Sequence, residues 1–259
     1  MSQFTDKRVV VTGAAGIFGR WITEAFLNAG AHVCLSDMRG DAARAVIRES
    51  GAEDRAFVHQ TELTDPKSVD DLIATVKAKW GAPDIVINNA GVYPKGLLLE
   101  IPVEEWDHIF DINLRAPFLV TRGMAKLMIA EKKRGTFIMI SSGAARQMRN
   151  TVAPYCTSKT ALERLSKGFA LELAPHKIRV NVVEPGFAPG SVVSPLSEEH
   201  ITNMKKRIPL ARTSEPTDVP AAIFYLCSDA ASFVTGAVLS VDGGNSIGTY
   251  EPGHLLPKD

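Results

Sequence analysis

Cysteine is scarce in this chain: Cys34, Cys156 and Cys227 are all there are among 259 residues. An odd number at wide spacing fits neither a disulfide framework nor a zinc site. Free thiols, a cytoplasmic location and no metal centre are therefore expected. Cys156 reads as a small buried thiol rather than a nucleophile. Charge of one sign is also missing. The 29 basic and 29 acidic residues cancel, which removes the field that nucleic acid or an anionic membrane would need. Neither is an expected partner. Long apolar runs are absent too. None approaches the ~20 residues required to cross a bilayer, and residues 1–8 lack the apolar centre of a signal peptide. There is no repeat and no linker. With 45% hydrophobic residues, one α/β domain over 1–259 is expected.

What is present is a regular alternation of strand and helix signals, as in a parallel sheet covered on both faces. The first strand, Arg8-Val9-Val10-Val11, runs into Thr12-Gly13-Ala14-Ala15-Gly16-Ile17-Phe18-Gly19 and a helix over 17–28. A strand feeding a glycine turn and a helix N-terminus can cradle a pyrophosphate: glycine lets the backbone approach and the helix dipole favours negative charge. The second strand, over 32–36, ends at Asp37. An acidic residue there is placed to accept hydrogen bonds from a ribose and to repel a 2′-phosphate, which puts NAD ahead of NADP. Arg39 either reaches such a phosphate or is a solvated loop side chain.

Further elements are expected at 40–50 (helix), 55–59 (strand), 66–80 (helix, with Asp65 as N-cap and Pro66 at the first position) and 84–87 (strand). Asn88-Asn89-Ala90-Gly91 follows. A long helix over 103–132 contains Asn113, with Pro117 four residues on. Proline has no N–H, so the Asn113 carbonyl either holds a water or marks a packing kink. The strand over 136–140 leads to Ser141-Ser142, and the loop 143–154 carries Arg146 and Arg149. These arginines either meet an anionic substrate or are solvated. A strand over 178–183 ends in Glu184-Pro185-Gly186. The irregular stretch 187–210, with a short helix at 198–207, reads as a substrate lid. Its Lys205-Lys206-Arg207 trio reads as a solvated face. A helix near 216–227, a strand over 237–241 and a tail over 245–259 complete the chain.

The chemistry centres on Tyr155-Cys156-Thr157-Ser158-Lys159. Residues four apart share a helical face. A phenol normally keeps its proton until about pH 10, and a nearby ammonium lowers that value toward the neutral range a general acid/base needs. Alone, such a pair is as readily a surface feature. The surrounding motifs decide the matter.

Taken together, the glycine turn, Asn88-Asn89-Ala90-Gly91, Asn113, Ser142, Tyr155-x-x-x-Lys159, Pro185-Gly186 and Val241-Asp242-Gly243-Gly244 resemble the compact branch of the short-chain dehydrogenase/reductase family, over roughly residues 6–244. The resemblance implies a Rossmann-like, doubly wound, seven-stranded parallel sheet with helices on both faces, and a homotetramer. It implies an NAD-dependent oxidoreductase interconverting a secondary alcohol and a ketone. Tyr155 would be the acid/base, Ser142 would bind the same substrate oxygen, Lys159 would hold the nicotinamide ribose and depress the tyrosine, and Asn113 would anchor a water. Cofactor contacts are expected from Gly13, Gly16, Ile17, Phe18, Gly19, Asp37, Glu62, Leu63, Asn89, Ala90, Gly91, Tyr155, Lys159, Pro185, Gly186 and Ser191.

The chain departs from the family pattern at three points. Ile17 stands where the compact branch has its middle glycine, giving the spacing of the extended branch. Glu62-Leu63 replaces the usual aspartate-valine beside adenine. Gly190-Ser191 stands where a threonine usually holds the carboxamide. The glycine spacing keeps open a non-redox sugar-nucleotide epimerase or dehydratase with bound NAD. A non-catalytic dinucleotide sensor is the third reading.

Overall fold

A computed structural model describes residues 2–190 and 197–248. Three consecutive valines make β1 (Arg8–Thr12), since β-branched side chains suit a pleated, buried surface. The chain then builds α1 (Ile17–Asn28), β2 (His32–Asp37), α2 (Gly40–Ser50), β3 (Ala56–Gln60), α3 (Pro66–Trp80) and β4 (Ile85–Asn88). The capping expected for α3 is present: the Asp65 side chain accepts from Lys67 N at 3.0 Å and Pro66 opens the helix.

The long helix expected over 103–132 is instead three segments. α4 (Val103–Phe110) gives way to a π turn over Asp111–Arg115, and α5 (Ala116–Ala130) follows. At the join, Ala116 N–H bonds back five residues to the Asp111 carbonyl. Pro117 has no N–H to give, so the α ladder is interrupted there, and the extra residue is absorbed as a π bulge. The rest follows as β5 (Gly135–Ile140), α6 (Ala153–Leu173), β6 (Ile178–Pro185), α7 (Glu198–Arg207), α8 (Asp218–Cys227) and β7 (Val238–Val241).

All seven strands are parallel, in the order β3-β2-β1-β4-β5-β6-β7. Alternation along each strand splits the core in two. Val9 and Val11 of β1, Ile85 and Ile87 of β4, and Ile138 and Ile140 of β5 pack with Ile22 and Phe26 of α1 and with α8. Val10, Val86, Phe137 and Met139 face the other side, against Leu72, Val120, Met124 and Leu162 of α3, α5 and α6. This period of two is why neither face reads as amphipathic in sequence: both are buried.

From β1 the chain winds outward to β3, then crosses back to β4 on the other side of β1. In such sheets the crevice outside the strand ends at that reversal is where ligands bind. Thr12, Asp37, Asn88, Ile140 and Pro185, the last residues of five strands, all end on this edge.

Candidate active site

The glycine turn and the β4 loop meet at the reversal. Gly13 has φ +61°, and a Cβ there would stand 2.8 Å from Ala90 Cα. The Asn89 amide donates to the carbonyls of Thr12 and Gly13 at 2.9 and 3.0 Å. Thr12, which drew no attention in sequence, is the other half of this joint. Its hydroxyl accepts from the N–H groups of Asn89 and Ala90 at 3.0 and 3.2 Å. Above this joint α1 begins at Gly16 with no side-chain cap and no acidic residue in its first turn. Asp37 is buried, and its two oxygens accept from Ala15 N and Arg39 N, each at 2.9 Å, with Arg39 Nε at 3.5 Å. The turn, the uncapped helix start and the carboxylate together could hold a dinucleotide, whose pyrophosphate would lie against the Gly13, Gly16 and Gly19 turn and whose ribose would face Asp37. Glu62 is exposed and uses its carboxylate on Thr64 N and Oγ1 at 3.1 and 2.8 Å, while Leu63 is buried. Pro185-Gly186 closes the far side: Gly186 N bonds to Val241 O at 2.8 Å, and a Cβ at Gly186 would stand 2.8 Å from Asp242 Cα. Ser191 lies outside the described residues.

Asn113 is fully buried, and its amide is a clamp. Oδ1 accepts from Val92 N at 2.9 Å, and Nδ2 donates to Val92 O at 3.0 Å and Ser158 Oγ at 3.1 Å. It thereby pins the loop after β4 to α6. A Cβ on Gly91 would come within 3.4 Å of Lys159 Nζ and 3.3 Å of Asn113 Oδ1. Gly91, Asn113 and Lys159, far apart in the sequence, thus converge on one point.

Ser142 is extended after β5, and its Oγ accepts from Ala144 N at 3.2 Å, which caps a short turn over Gly143–Ala145. The hydroxyl proton stays available to a second partner, and Tyr155 is within its reach. Pro154 stands in the first turn of α6, with Tyr155 next. The Tyr93 ring meets the Tyr155 ring edge-on, centroids 4.5 Å apart.

The tyrosine does not match its expected ionisation. Burial pushes the phenol up to about 12; the Ser142 hydroxyl and, further off, Arg149 pull it back, while Tyr93 and Cys156 add to the rise. Lys159 is not what governs it in the chain alone. Nζ donates to Ile140 O at 2.9 Å and lies 5.7 Å from the Tyr155 ring centre. Burial lowers the ammonium to about 8, against a smaller opposing pull from Glu163. The spacing placed the pair on one face, as expected, but burial outweighs mutual attraction there.

Arg146 also departs from expectation. It pairs with the buried Glu184, with Nη2 2.7 Å from Glu184 Oε2 and Nε 3.1 Å from Oε1, and so is spent on structure. Arg149 remains beside Tyr93 and Tyr155. Cys156 is buried, and Lys205, Lys206 and Arg207 are exposed, as read from sequence. A cavity of about 770 Å³ opens at the opposite edge of the sheet, lined by Asp84, Arg179 and Cys227 among others, away from all these motifs.

A family model described as enoyl-(acyl carrier protein) reductase matches residues 13–246. The chain belongs to the short-chain dehydrogenase/reductase family. The relatives it matches are named as reductases and dehydrogenases, and this chain is an oxidoreductase of that family. A 3-oxoacyl-[acyl-carrier-protein] reductase of Thermotoga maritima is 32% identical over 243 residues, covering 93% of this chain and 98% of that protein. A crystal structure of a short-chain type dehydrogenase/reductase from Mycobacterium marinum superposes with a TM-score of 0.87 at 33% identity, covering 94% of this chain and 96% of that one. A 3-ketoacyl-(acyl-carrier-protein) reductase from Brucella melitensis, solved with NADH, gives 0.85 at 30% identity, covering 94% and 100%. A nicotinamide dinucleotide is thus the cofactor class for this short-chain dehydrogenase/reductase. Among the described residues no helix is long and apolar enough to cross a membrane, and no group of three or more His, Cys, Asp or Glu is placed to hold a metal ion.

Proposed function

We propose that this chain is an NAD-dependent oxidoreductase that interconverts a secondary alcohol and its ketone at Tyr155. The observation that carries this reading is the convergence of Tyr155, Ser142, Lys159 and the Asn113-clamped Gly91 at the strand edge that also bears the glycine turn and Asp37. A bound nicotinamide dinucleotide supplies or accepts the hydride. Everything else falls to the chain. Ser142 donates to the substrate oxygen and orients it toward the phenol. Tyr155 gives its proton to that oxygen in reduction and takes it back in oxidation. A phenol near 12 suits the acid role in the chain alone; the base role needs the ammonium of Lys159 turned toward it. Lys159 can turn, because its hydrogen-bond partner among the described residues is a single backbone carbonyl.

The buried carboxylate of Asp37 supports NAD over NADP, since it occupies the place where a 2′-phosphate would bring two further negative charges. Pro185, Gly186 and the described parts of the expected lid, 187–190 and 197–210, would cover the nicotinamide side (residues 191–196 lie outside the described residues), with the protein acting as a cytoplasmic homotetramer on a small molecule. At the substrate side Arg149 is the cation left to face it. A carbonyl compound bearing an acidic group is therefore the favoured substrate, with the exposed Leu97, Leu98, Leu99 and Met148 offering apolar surface nearby. The test is a spectrophotometric screen for NADH formation and consumption over hydroxy acids, sugar acids, polyols, steroids and aromatic alcohols. NADH turnover that Tyr155→Phe abolishes supports the reading. Turnover of a sugar nucleotide with no NADH released would instead support an epimerase.

A further inference from the structure

On the side of Lys159 away from the substrate lies a set of charged groups that the chemistry above does not use. Glu184, near the end of β6, is fully buried. It accepts from Arg146 and also from Ser240 Oγ on β7, and Arg146 donates to Ser240 Oγ at 2.6 Å. Glu163 follows Lys159 by one helical turn. Its carboxyl accepts from Ser141 Oγ at 2.7 Å and lies within hydrogen-bonding reach of Glu184. Ser141 Oγ in turn stands 3.5 Å from the Lys159 carbonyl oxygen. The end of β5, the loop after Ser142, α6, β6 and β7 are thus tied together at one point behind the lysine.

Two carboxyl groups this close do not both ionise readily. Arg146 offers one positive charge for the two of them. The arrangement balances when the two carboxyl groups share one proton against the single charge of Arg146.

We propose that Glu163 and Glu184 are a proton-sharing positioning pair for Lys159, which supplies one negative charge a helical turn from the ammonium when its proton leaves. The proposal rests on the reading that Lys159 works as an ammonium. The step is a simple ionisation: the O–H bond of Glu163 breaks, the electron pair stays on the carboxylate, and the proton goes to solvent. The groups facing Glu163 are Ser141 from β5, Glu184 from β6, Arg146 from the loop after Ser142, and Lys159 on its own helix. Burial first, and Glu184 with it, raise Glu163 to about 7, against Ser141 and Arg146. Lys159 sits near 8. The carboxyl therefore ionises just before the ammonium would be lost, and its charge extends the pH range over which Lys159 stays protonated.

The test uses Glu163→Gln, which keeps an acceptor for Ser141 but cannot ionise, and Glu184→Gln, which frees Glu163 from its like-charged neighbour. Carbon-13 NMR of glutamate-labelled protein should show one carboxyl titrating near neutral pH, absent in Glu163→Gln and moved down toward, though not into, the ordinary carboxylate range in Glu184→Gln, since burial remains. NADH affinity, followed by nicotinamide fluorescence, should fall on the alkaline side at a pH about one unit lower in Glu163→Gln, and no lower in Glu184→Gln. A Glu163 that titrates in the ordinary range in the natural protein overturns the proposal, as does an unmoved alkaline limit in Glu163→Gln. Should that variant not fold, the Glu184→Gln titration decides, and an unchanged Glu163 signal overturns the pair. Lys159→Met separates the two ideas. If it leaves NADH binding unchanged at every pH, the ribose role of Lys159 is lost, while the NMR titration still decides whether the pair exists.

Discussion

Lys159 donates to the Ile140 carbonyl at 2.9 Å rather than to Tyr155, whose ring centre stands 5.7 Å from its Nζ. The two residues that define the site are neighbours on one helix face, yet the ammonium rests on a strand end. Folding leaves a buried cation with one neutral partner, which is costly.

That cost is measurable. Burial takes Lys159 from 10.5 to about 8. A base whose folded value lies below its unfolded value binds fewer protons when folded between those limits. Stability from this group therefore rises with pH from about 8 to about 10.5 and is lost as pH falls through 8. Lys159→Met should stabilise the protein at neutral pH, by about 3 kcal/mol at most, with the advantage fading above pH ~10. Urea unfolding of both proteins across that range checks it. A difference independent of pH would show that the cost is packing rather than charge.

Tyr155→Phe should lower turnover by roughly 10²–10⁴-fold while NADH binding and the unfolding midpoint stay near their natural values. In the protein without cofactor, alkaline absorbance titration should place two phenols, Tyr155 and Tyr93, above the ordinary value, and Tyr155→Phe should remove one of them. Ser142→Ala should push the Tyr155 phenol higher still, because the hydroxyl holds it down. A downward move would sink the assignment of that contact.

Asp37→Ser removes the carboxylate that Ala15 N and Arg39 N hold in place and releases Arg39. The ratio of NADH to NADPH affinity should shift toward NADPH by about tenfold or more, equivalent to ~1.4 kcal/mol. Fluorescence titration with each dinucleotide measures it. An unchanged ratio would mean that Asp37 does not face the adenosine ribose.

Gly13→Ala combines an unfavourable backbone conformation with a Cβ 2.8 Å from Ala90 Cα. It should destabilise by roughly 1–3 kcal/mol and weaken NADH binding. Gly51 shares the same φ of +61° but has nothing within 4 Å of its would-be Cβ. Gly51→Ala should carry the conformational cost, about 1 kcal/mol, and leave NADH affinity unchanged. Equal effects of the two on NADH would remove the special status of the Gly13–Ala90 joint.

Arg149→Met should lower kcat/KM for carbonyl compounds bearing a carboxylate by about tenfold or more, as expected for loss of a charge-assisted contact, and spare neutral ketones. Steady-state kinetics on matched acid and methyl-ester substrates reads this directly. A uniform loss on both would make Arg149 a structural partner of Tyr93 instead.

Much of this was legible in the chain. Helix α3 begins at Pro66 behind Asp65 and α7 spans Glu198–Arg207, where capping signals and polarity mark them. Strand positions followed from β-branched runs, to within a residue or two. The break in the helix around Asn113 was signalled by Pro117, but its form was not, because a bulge or a kink satisfies the same missing N–H. Motif spacing named most of the residues that meet in the candidate site, but not the joining roles of Thr12 and Ser158, whose polar side chains link loops far apart in the chain and carry no local pattern.

By itself the sequence determined the alternation of elements, the glycine turn, the acidic end of β2 and the helical spacing of Tyr155 and Lys159, because each follows from the local geometry of one segment. The tertiary structure alone decided which partners those groups have. It tied Arg146 to Glu184, set Arg149 beside Tyr93 and Tyr155, and made Asn113 a clamp between Val92 and Ser158. It raised Tyr155 and lowered Lys159, since ionisation depends on burial and on charges brought near from distant strands. Spacing along a chain sets which face a side chain occupies; only packing sets the dielectric and the neighbours that decide what it does there.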